Sequence, residues 1–167
     1  AHVSLAHPIS KQILNLIYKS KIDNINVKKS GTYIAIEGPQ FSTYAESILY
    51  KSWNCDVIGM TNLPEARLAR EAELGYATIA MVTDYDCWHK DHEAVTVDQI
   101  IQTMNKNTKN VKRFLKSIFK NLSKLNSWNW KDNIYSCLDL AVITQLNNIK
   151  PQTLKKLKPL LKRKYSL

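Results

Sequence analysis

Short apolar runs alternate along the first half of the chain with segments whose apolar positions recur at helical spacing. The apolar runs cover residues 32–36, 56–60 and 76–82, and they predict three β-strands. The last run carries no charged residue, so we expect it to form a strand that is buried on both faces. Strand, helix, strand, helix and strand follow one another in this order. This order predicts an α/β fold with a mostly parallel sheet flanked by helices.

Signals for the starts and ends of helices support the same order. Ser10 can cap a first helix, and Ser42 or Thr43 can cap a second one. Pro64 lies in the first turn of a third helix, which we expect to run to about residue 74. The apolar face of the second helix is predicted to comprise Ala45, Ile48, Leu49 and Trp53.

Beyond residue 95 the pattern is helical almost to the end of the chain. One long amphipathic face runs from Val97 to Ile118, and we expect a break in this helix near residues 105–110. A further helix is predicted over about residues 134–146, and Pro151 begins a last one.

Composition adds a domain prediction and a compartment prediction. A length of 167 residues with 44% hydrophobic and 23% charged residues predicts a single domain, residues 1–167, with a real core. No apolar run approaches the roughly 20 residues that span a bilayer, so we expect no membrane association. Three widely spaced cysteines argue against a disulfide framework, and they predict a reducing, cytoplasmic setting.

The net charge of +10 is concentrated at one end of the chain. Residues 101–167 hold fifteen Lys and Arg against two acidic residues, and we describe residues 120–167 as a basic helical tail. Such a tail could attract nucleic acid. Trp128 and Trp130 could stack on bases, but no RNA-binding motif surrounds them. We therefore expect a solvated basic face, and we keep a nucleic-acid-binding module as the alternative from another functional class.

Polar residues follow each predicted strand at the point where the strand ends. The most pronounced case is Asp84 and Asp86, which come directly after the uncharged run. In an open α/β sheet this edge is where ligands bind, and a buried carboxylate is costly unless something pairs with it. A solvated turn or a helix cap is the alternative interpretation of the two carboxylates.

Three segments, taken in order and spacing, resemble the trimeric nucleoside phosphorylase family, and most closely its 5′-methylthioadenosine phosphorylases. They are E-G-P-Q-F-S-T at residues 37–43, D-V-I-G-M-T-N-L-P-E at 56–65 and A-M-V-T-D-Y-D-C-W at 80–88. The resemblance covers about residues 2–118. The family's Gly-rich phosphate loop and Arg-His phosphate clamp do not occur in this sequence. The resemblance therefore implies a nucleoside phosphorylase-like fold that is incomplete at the N-terminus, corresponding to the C-terminal portion of such an enzyme.

The resemblance also implies a reaction and its partners. Phosphate would displace adenine from 5′-methylthioadenosine and yield 5-methylthioribose 1-phosphate, with orthophosphate as co-substrate and no cofactor. The family implies a homotrimer, here built with the missing N-terminal half. The departing purine needs a proton or a hydrogen bond at N7, and Asp84 matches the residue that faces N7. We expect Asp84 to hold this proton because of burial beside Asp86, with which it would titrate as a coupled pair.

Further residues acquire substrate-binding roles by the same resemblance. Phe41 would pack against the purine, and Ser42 with the two carboxylates would favour adenine over hypoxanthine. Met60 would line the ribose and Thr61 would contact phosphate. Gly59 departs from vertebrate-like members, which have Asn there. The remaining predicted contacts are Ile58 and Thr83, the apolar wall Val97, Ile100 and Ile101 around the methylthio group, and His2 reaching into a neighbouring subunit's site.

Two alternatives stay open within this interpretation. Residues 87–93 contain a Cys, two His and acidic residues, but their spacing fits no zinc pattern, and we predict no metal site there but a loop that closes over the site. A related enzyme acting on methylthioinosine or on ordinary purine nucleosides remains the alternative activity.

Overall fold

The computed structural model describes residues 1–89 and 96–167. Its contacts group into two compact units, and each is treated separately. Unit 1 comprises residues 1–13, 63–77 and 126–167, and unit 2 comprises residues 14–62 and 78–125. The single domain predicted from the sequence stays a prediction. The strands are β1 (Tyr33–Ala35) and β2 (Val57–Gly59), and the α-helices are α1 (Lys11–Lys19), α2 (Tyr44–Ser52), α3 (Leu63–Glu71), α4 (Val97–Leu122), α5 (Leu138–Ala141) and α6 (Pro151–Tyr165).

A parallel pair of strands forms the centre of unit 2. β1 and β2 pair in the register Tyr33 to Val57 and Ala35 to Gly59. The ladder is prolonged at its carboxyl end, where the Ile36 amide donates to the Gly59 carbonyl at 2.9 Å. The predicted parallel arrangement of these two strands is confirmed. Both strands therefore deliver the polar segments that follow them to one edge of the sheet.

The third predicted strand is not formed. Residues 76–82 belong to no β-ladder among the described residues, and Met81 and Val82 are 50% and 59% exposed. Two backbone carbonyls of this segment accept hydrogen bonds from outside any sheet. The Tyr76 carbonyl accepts from the Ser10 amide, and the Val82 carbonyl accepts from the side-chain amide of Asn107. An apolar composition suits a central strand, but a strand also needs a neighbour for its backbone groups. The prediction of a strand buried on both faces is thus wrong for these residues.

Helix α2 begins where the sequence predicts it. Thr43 accepts from the Glu46 amide, and the Glu46 carboxylate accepts from the Thr43 amide at 2.7 Å, which forms a capping box. The predicted apolar face is exposed, however: Ala45 is exposed, and 41–59% of the surface of Ile48, Leu49 and Trp53 is accessible. The buried residue of this helix is Ser47, which is 1% exposed.

Helix α4 is continuous, so the predicted break near residues 105–110 does not occur. Thr96 and Gln99 form a capping box at its start, and Phe114 and Ile118 in its second half are buried. The second half also fixes the end of α1. Ser117 donates to the Ser20 carbonyl at 2.8 Å, and Asn121 donates to the Ser20 hydroxyl at 2.9 Å.

The C-terminal region supplies most of the apolar core of unit 1. Leu138, Ala141 and Leu161 pack together, and Ile134 and Ala66 are also buried. The segment predicted as a helix over residues 134–146 is shorter, with a 3₁₀ turn at Asn133–Ser136 followed by α5. Val142 is extended, since the β-branched run from Val142 to Thr144 is a poor helix former. A second 3₁₀ turn at Leu146–Asn148 leads to α6.

Candidate active site

A cavity of about 310 Å³ opens at the carboxyl end of β1 in unit 2. The end of the strand forms one wall, and Glu46 and Tyr50 of α2 form another. Phe41 lies at this cavity with 87% of its surface exposed. The Ser42 hydroxyl is buried there and has no hydrogen-bond partner among the described residues. A buried hydroxyl without a partner is costly, so the cavity offers a ligand both an aromatic face and an unused hydrogen-bonding group.

The loop between β1 and α2 reaches the end of β2 through a glycine. Gly38 has a φ of +74°, a conformation that other residues rarely adopt. A side chain there would also collide with Met60, because an added Cβ would lie 2.6 Å from its sulfur atom. Met60 can therefore lie directly against the loop that carries Phe41 and Ser42.

A second close approach joins the two strands at Gly59. A Cβ added at Gly59 would lie 1.9 Å from the Tyr33 hydroxyl oxygen. Tyr33 and Ala35 lie on one face of β1, and Ala35 is the register partner of Gly59. The Tyr33 ring consequently takes the space into which a side chain at position 59 would project. This is the structural reason why Gly59, and not a larger residue, fits here.

The two carboxylates of the third segment have different environments. Asp84 is exposed, and one of its oxygens accepts from the Thr83 hydroxyl. Asp86 is half-buried; Ser47 of α2 donates to one of its oxygens at 2.5 Å and the Cys87 amide donates to the other at 2.8 Å. The expected burial of Asp84 beside Asp86 is therefore not present in the part of the chain that is described. Both oxygens of Asp86 accept hydrogen bonds from the protein, whereas no described residue donates to the second oxygen of Asp84.

Helix α2 contacts the third segment at a second point. The ammonium group of Lys51 lies 3.5 Å from the centre of the Trp88 ring, which is a cation–π contact. Lys51 follows Ser47 by one helical turn, so both contacts are made by the same face of α2. The adjacent face carries Glu46 and Tyr50, which line the cavity. Helix α2 thus lines the cavity and also contacts the third segment, residues 80–88.

The other residues predicted from the resemblance are only partly drawn together. Ile58 and Met60 are half-buried at the end of β2, and Thr61 is exposed. On the first turns of α4, Val97 is 71% and Ile101 48% exposed, so they do not form a closed apolar wall within the described residues, and Ile100 is half-buried.

The capping box holds a charge at the cavity. The pKa of Glu46 is lowered, first by the hydrogen bond from the Thr43 amide and then by that from the Thr43 hydroxyl. Glu46 lines the cavity beside Ser42. A ligand in the cavity would therefore lie beside a carboxylate that already accepts hydrogen bonds from the Thr43 amide and hydroxyl.

His2 is assigned to a different unit from the cavity and the two carboxylates. It belongs to unit 1, where it is exposed and its amide donates to the Ala141 carbonyl at 3.1 Å. Its predicted role in a neighbouring subunit stays a prediction.

The predicted closing loop, and most of the segment weighed as a metal site, fall on residues 90–95, which lie outside the described residues. Within residues 1–89 and 96–167, no group of three or more His, Cys, Asp or Glu side chains is arranged to hold a metal ion. In the same residues no helix is both long enough and apolar enough to cross a membrane.

Two site features were not predicted from the sequence. Ser47 was missed because a serine inside a helix carries no recognisable signal, although it is the buried residue of α2. Tyr33 was missed because only the register of the strands places it over Gly59. Gly59 itself was a signal, since it stands at the end of β2 where vertebrate-like members have Asn.

The family model of the phosphorylase superfamily matches residues 1–120 of this chain. The chain therefore belongs to the phosphorylase superfamily. It is 47% identical over 158 residues to the S-methyl-5′-thioadenosine phosphorylase of Bradyrhizobium diazoefficiens, and 44% identical over 158 residues to that of Rhodospirillum rubrum. These alignments cover 94% of this chain but 54% and 53% of the two relatives. The chain thus spans about half the length of the curated relatives it matches.

Solved structures of methylthioadenosine phosphorylases are also similar to this chain. A methylthioadenosine phosphorylase from an Antarctic soil metagenomic library superposes with a TM-score of 0.84 at 38% identity, over 96% of this chain and 56% of that one. A methylthioadenosine phosphorylase from Schistosoma mansoni in complex with adenine has a TM-score of 0.69 at 28% identity, over 89% of this chain and 57% of that one. The predicted nucleoside phosphorylase-like, incomplete α/β fold is confirmed. The similarity extends through the C-terminal helices and so beyond the predicted limit at residue 118.

Proposed function

We propose that this chain is part of an enzyme that cleaves 5′-methylthioadenosine with orthophosphate, which yields adenine and 5-methylthioribose 1-phosphate. The observation that carries the proposal is the 47% identity to an S-methyl-5′-thioadenosine phosphorylase across nearly the whole chain. The cavity supports it, because an exposed aromatic ring and an unpartnered hydroxyl lie together at the carboxyl end of a parallel strand.

The roles within the site follow from the chemistry of the bond that breaks. Cleavage of the glycosidic bond places negative charge on the purine, so a hydrogen bond or a proton at N7 stabilises the departing base. Asp84 is the group for this step, because its second oxygen is not used by the described residues.

Base selectivity follows from the same groups. The 6-amino group of adenine donates hydrogen bonds, which carboxylate and hydroxyl oxygens accept. Ser42 supplies a hydroxyl at the cavity whose hydrogen-bonding capacity is unused in the described residues. A 6-oxo purine would present an acceptor to the acceptor-only carboxylate and leave buried groups unsatisfied, at about 1–3 kcal/mol each, whereas the Ser42 hydroxyl can either donate or accept.

The rest of the site would come from elsewhere in the assembly. We propose a homotrimer whose subunits also contain a portion equivalent to the other half of the relatives. That portion would cover the exposed apolar residues of α2 and of the first turns of α4. That portion would also supply phosphate contacts beyond Thr61. The unpaired thiols of Cys55, Cys87 and Cys137 support a cytoplasmic setting for this assembly. From the proposed reaction we place it in purine and methionine salvage.

The test is to compare phosphorolysis of 5′-methylthioadenosine, adenosine, methylthioinosine and inosine by the full-length gene product. We expect the methylthioadenosine reaction to have the highest kcat/KM and to require orthophosphate. A preference for either 6-oxo nucleoside would overturn the assignment of the base-recognition residues. Absence of cleavage together with salt-sensitive RNA binding would instead support the nucleic-acid-binding alternative.

A further inference from the structure

We propose that the exposed face of helix α4 binds a single-stranded polynucleotide, with the phosphates on a row of basic side chains and a base on the ring of Phe119. The row consists of Lys106, Lys109, Arg113, Lys116 and Lys120. None of these side chains lines the cavity of the candidate active site. The inference therefore goes beyond the proposed function and does not depend on it.

The spacing of the basic residues places them in one row. They follow one another at intervals of three, four, three and four residues, and residues 101–122 contain no Asp or Glu. Side chains at these intervals lie one above another along a helix. All five are exposed, whereas Phe114 and Ile118 on the other side of α4 are buried. Because a helix advances about 1.5 Å per residue, the row is about 20 Å long and can follow the phosphates of several nucleotides.

No described residue forms an ion pair with this row. The ion pairs of the described residues are made by Arg163, and none of them involves α4. Covering five cations with another part of the enzyme would cost desolvation unless each cation met an acceptor there. The apolar residues at the first turns of α4 differ, because covering them is favourable. We therefore expect the row to stay at the surface of the complete enzyme.

Phe119 distinguishes a nucleic acid from other polyanions. Its side chain is 61% exposed, and it is the only large apolar residue exposed over residues 105–120, all of which are described. Phe119 follows Lys116 by three residues and Lys112, a further exposed cation, by seven, so its ring borders the row. Proteins that bind single strands combine a basic surface for the backbone with aromatic rings on which bases stack. A helix that binds a lipid surface would instead need a broad apolar face.

The experiment is a titration of a fluorescently labelled oligouridylate of about 15 nucleotides with the full-length gene product, followed by fluorescence anisotropy between about 50 and 200 mM KCl. Each phosphate contact with a single strand contributes about −0.7 to the slope of log K against log salt, so five contacts predict a slope of about −3.5. A variant that combines Lys109→Gln, Arg113→Gln and Lys116→Gln should bind more weakly, with a slope that is less steep by about 2.

The matched control combines Lys155→Gln, Lys156→Gln and Lys158→Gln. These lysines are exposed on α6, so the control loses the same net charge without a change in α4. Its affinity and its salt slope should stay close to those of the wild type. Both variants should keep the circular dichroism spectrum of the wild type and its kcat/KM for 5′-methylthioadenosine.

Phe119→Leu tests the base contact, and Phe119→Tyr is its control. Loss of the ring should weaken binding about 5- to 100-fold and leave the salt slope unchanged, because stacking releases no counterions. Phe119→Tyr keeps an aromatic ring and should bind like the wild type. A titration with an oligothymidylate of the same length shows whether the strand is RNA, DNA or either, and binding of any of them at the α4 row supports the proposal.

Several results would overturn the proposal. The first is no binding of either strand at about 50 mM KCl, where electrostatic binding is strongest. Another is an equal loss in the α4 variant and the α6 control, since net charge alone would then account for binding. A Phe119→Leu variant that binds like the wild type removes the stacking contact. Tight binding to vesicles of phosphatidylserine and phosphatidylcholine, with weaker binding of the strands, assigns the row to a lipid surface. Cleavage and strand binding are measured on the same protein, so failure of the proposed function is distinguishable from failure of this inference.

Discussion

At the scale of single residues, the structure separates two carboxylates that look equivalent in the sequence. Asp84 and Asp86 follow the same apolar run and differ in position by two residues, so the sequence predicts a coupled pair. The surroundings differ because Ser47 and the Cys87 amide occupy Asp86, whereas Asp84 accepts from Thr83 alone among the described residues. The general acid is therefore expected to be a single residue.

Replacing Asp84 by Asn should abolish most turnover without harming the fold. The side chain is exposed, and the amide oxygen of Asn can still accept from the Thr83 hydroxyl, so the free energy of unfolding should change by no more than about 0.5 kcal/mol. Loss of a general acid typically costs about 100- to 10,000-fold in rate. Steady-state cleavage of 5′-methylthioadenosine and urea denaturation measure the two effects. Turnover within tenfold of the wild type would contradict the role of Asp84.

The elements that the sequence predicted well are those whose signals are local. The first three helices begin near the predicted caps, and β1 and β2 lie within the predicted runs, because caps, prolines and short apolar runs act through neighbouring residues. The strand predicted over residues 76–82 failed for the opposite reason. A strand depends on a partner that may be distant in sequence, and no strand of the described residues pairs with it.

The faces of the helices follow the same rule. The spacing of apolar residues predicted one apolar face on α2, but it could not show whether another part of the chain covers that face. Ile48 and Leu49 are 41% and 45% exposed, and the polar Ser47 is buried. The position of Ser47 depends on a carboxylate 39 residues further along the chain, a contact that no local pattern encodes.

The pairing of β1 and β2 makes a prediction about Gly59. Gly59→Ala should lower the free energy of unfolding by about 1–3 kcal/mol, because the new Cβ would overlap the Tyr33 hydroxyl and the ring must move. Tyr33→Val removes the obstruction. Alanine at position 59 should therefore cost less in the Tyr33→Val background, which urea denaturation of the two single variants and the double variant measures. Equal costs in both backgrounds would show that the two side-chain positions do not interact.

At the scale of the whole molecule, the basic C-terminal region is a structural part of the fold. The sequence showed its charge and its helical spacing, and the description as a tail followed from both. Its apolar residues instead form the core of unit 1 with the segments at residues 1–13 and 63–77. The Cys137 thiol donates to the Arg70 carbonyl, and burial, followed by the nearby Glu73 charge, raises the pKa of this thiol. Long-range packing of this kind has no signature in composition.

Arg163 connects this region to the rest of unit 1 by charge. Its guanidinium binds Glu73 through two hydrogen bonds and Asp139 through two more. The Glu73 side chain is 9% exposed and also accepts from the Leu138 amide at 3.0 Å. These hydrogen bonds raise the pKa of Arg163, and the bonds from Arg163 lower that of Asp139. One cation of the basic region thus serves as an internal cross-link.

Arg163→Met should therefore destabilise unit 1 in a pH-dependent manner. At neutral pH it leaves a largely buried Glu73 carboxylate without its cation, and we expect a loss of about 1–3 kcal/mol. Because the pKa of Asp139 is lowered in the folded state, its contribution is complete above the ordinary Asp value of about 4 and is lost as the pH falls through the lowered value. The difference between Arg163→Met and the wild type should consequently narrow below about pH 4. Urea denaturation at pH 7 and pH 3 measures this, with the neighbouring exposed Lys162→Met as the control that should change little at either pH. A difference that stays constant with pH would mean that Arg163 contributes by packing and not by charge.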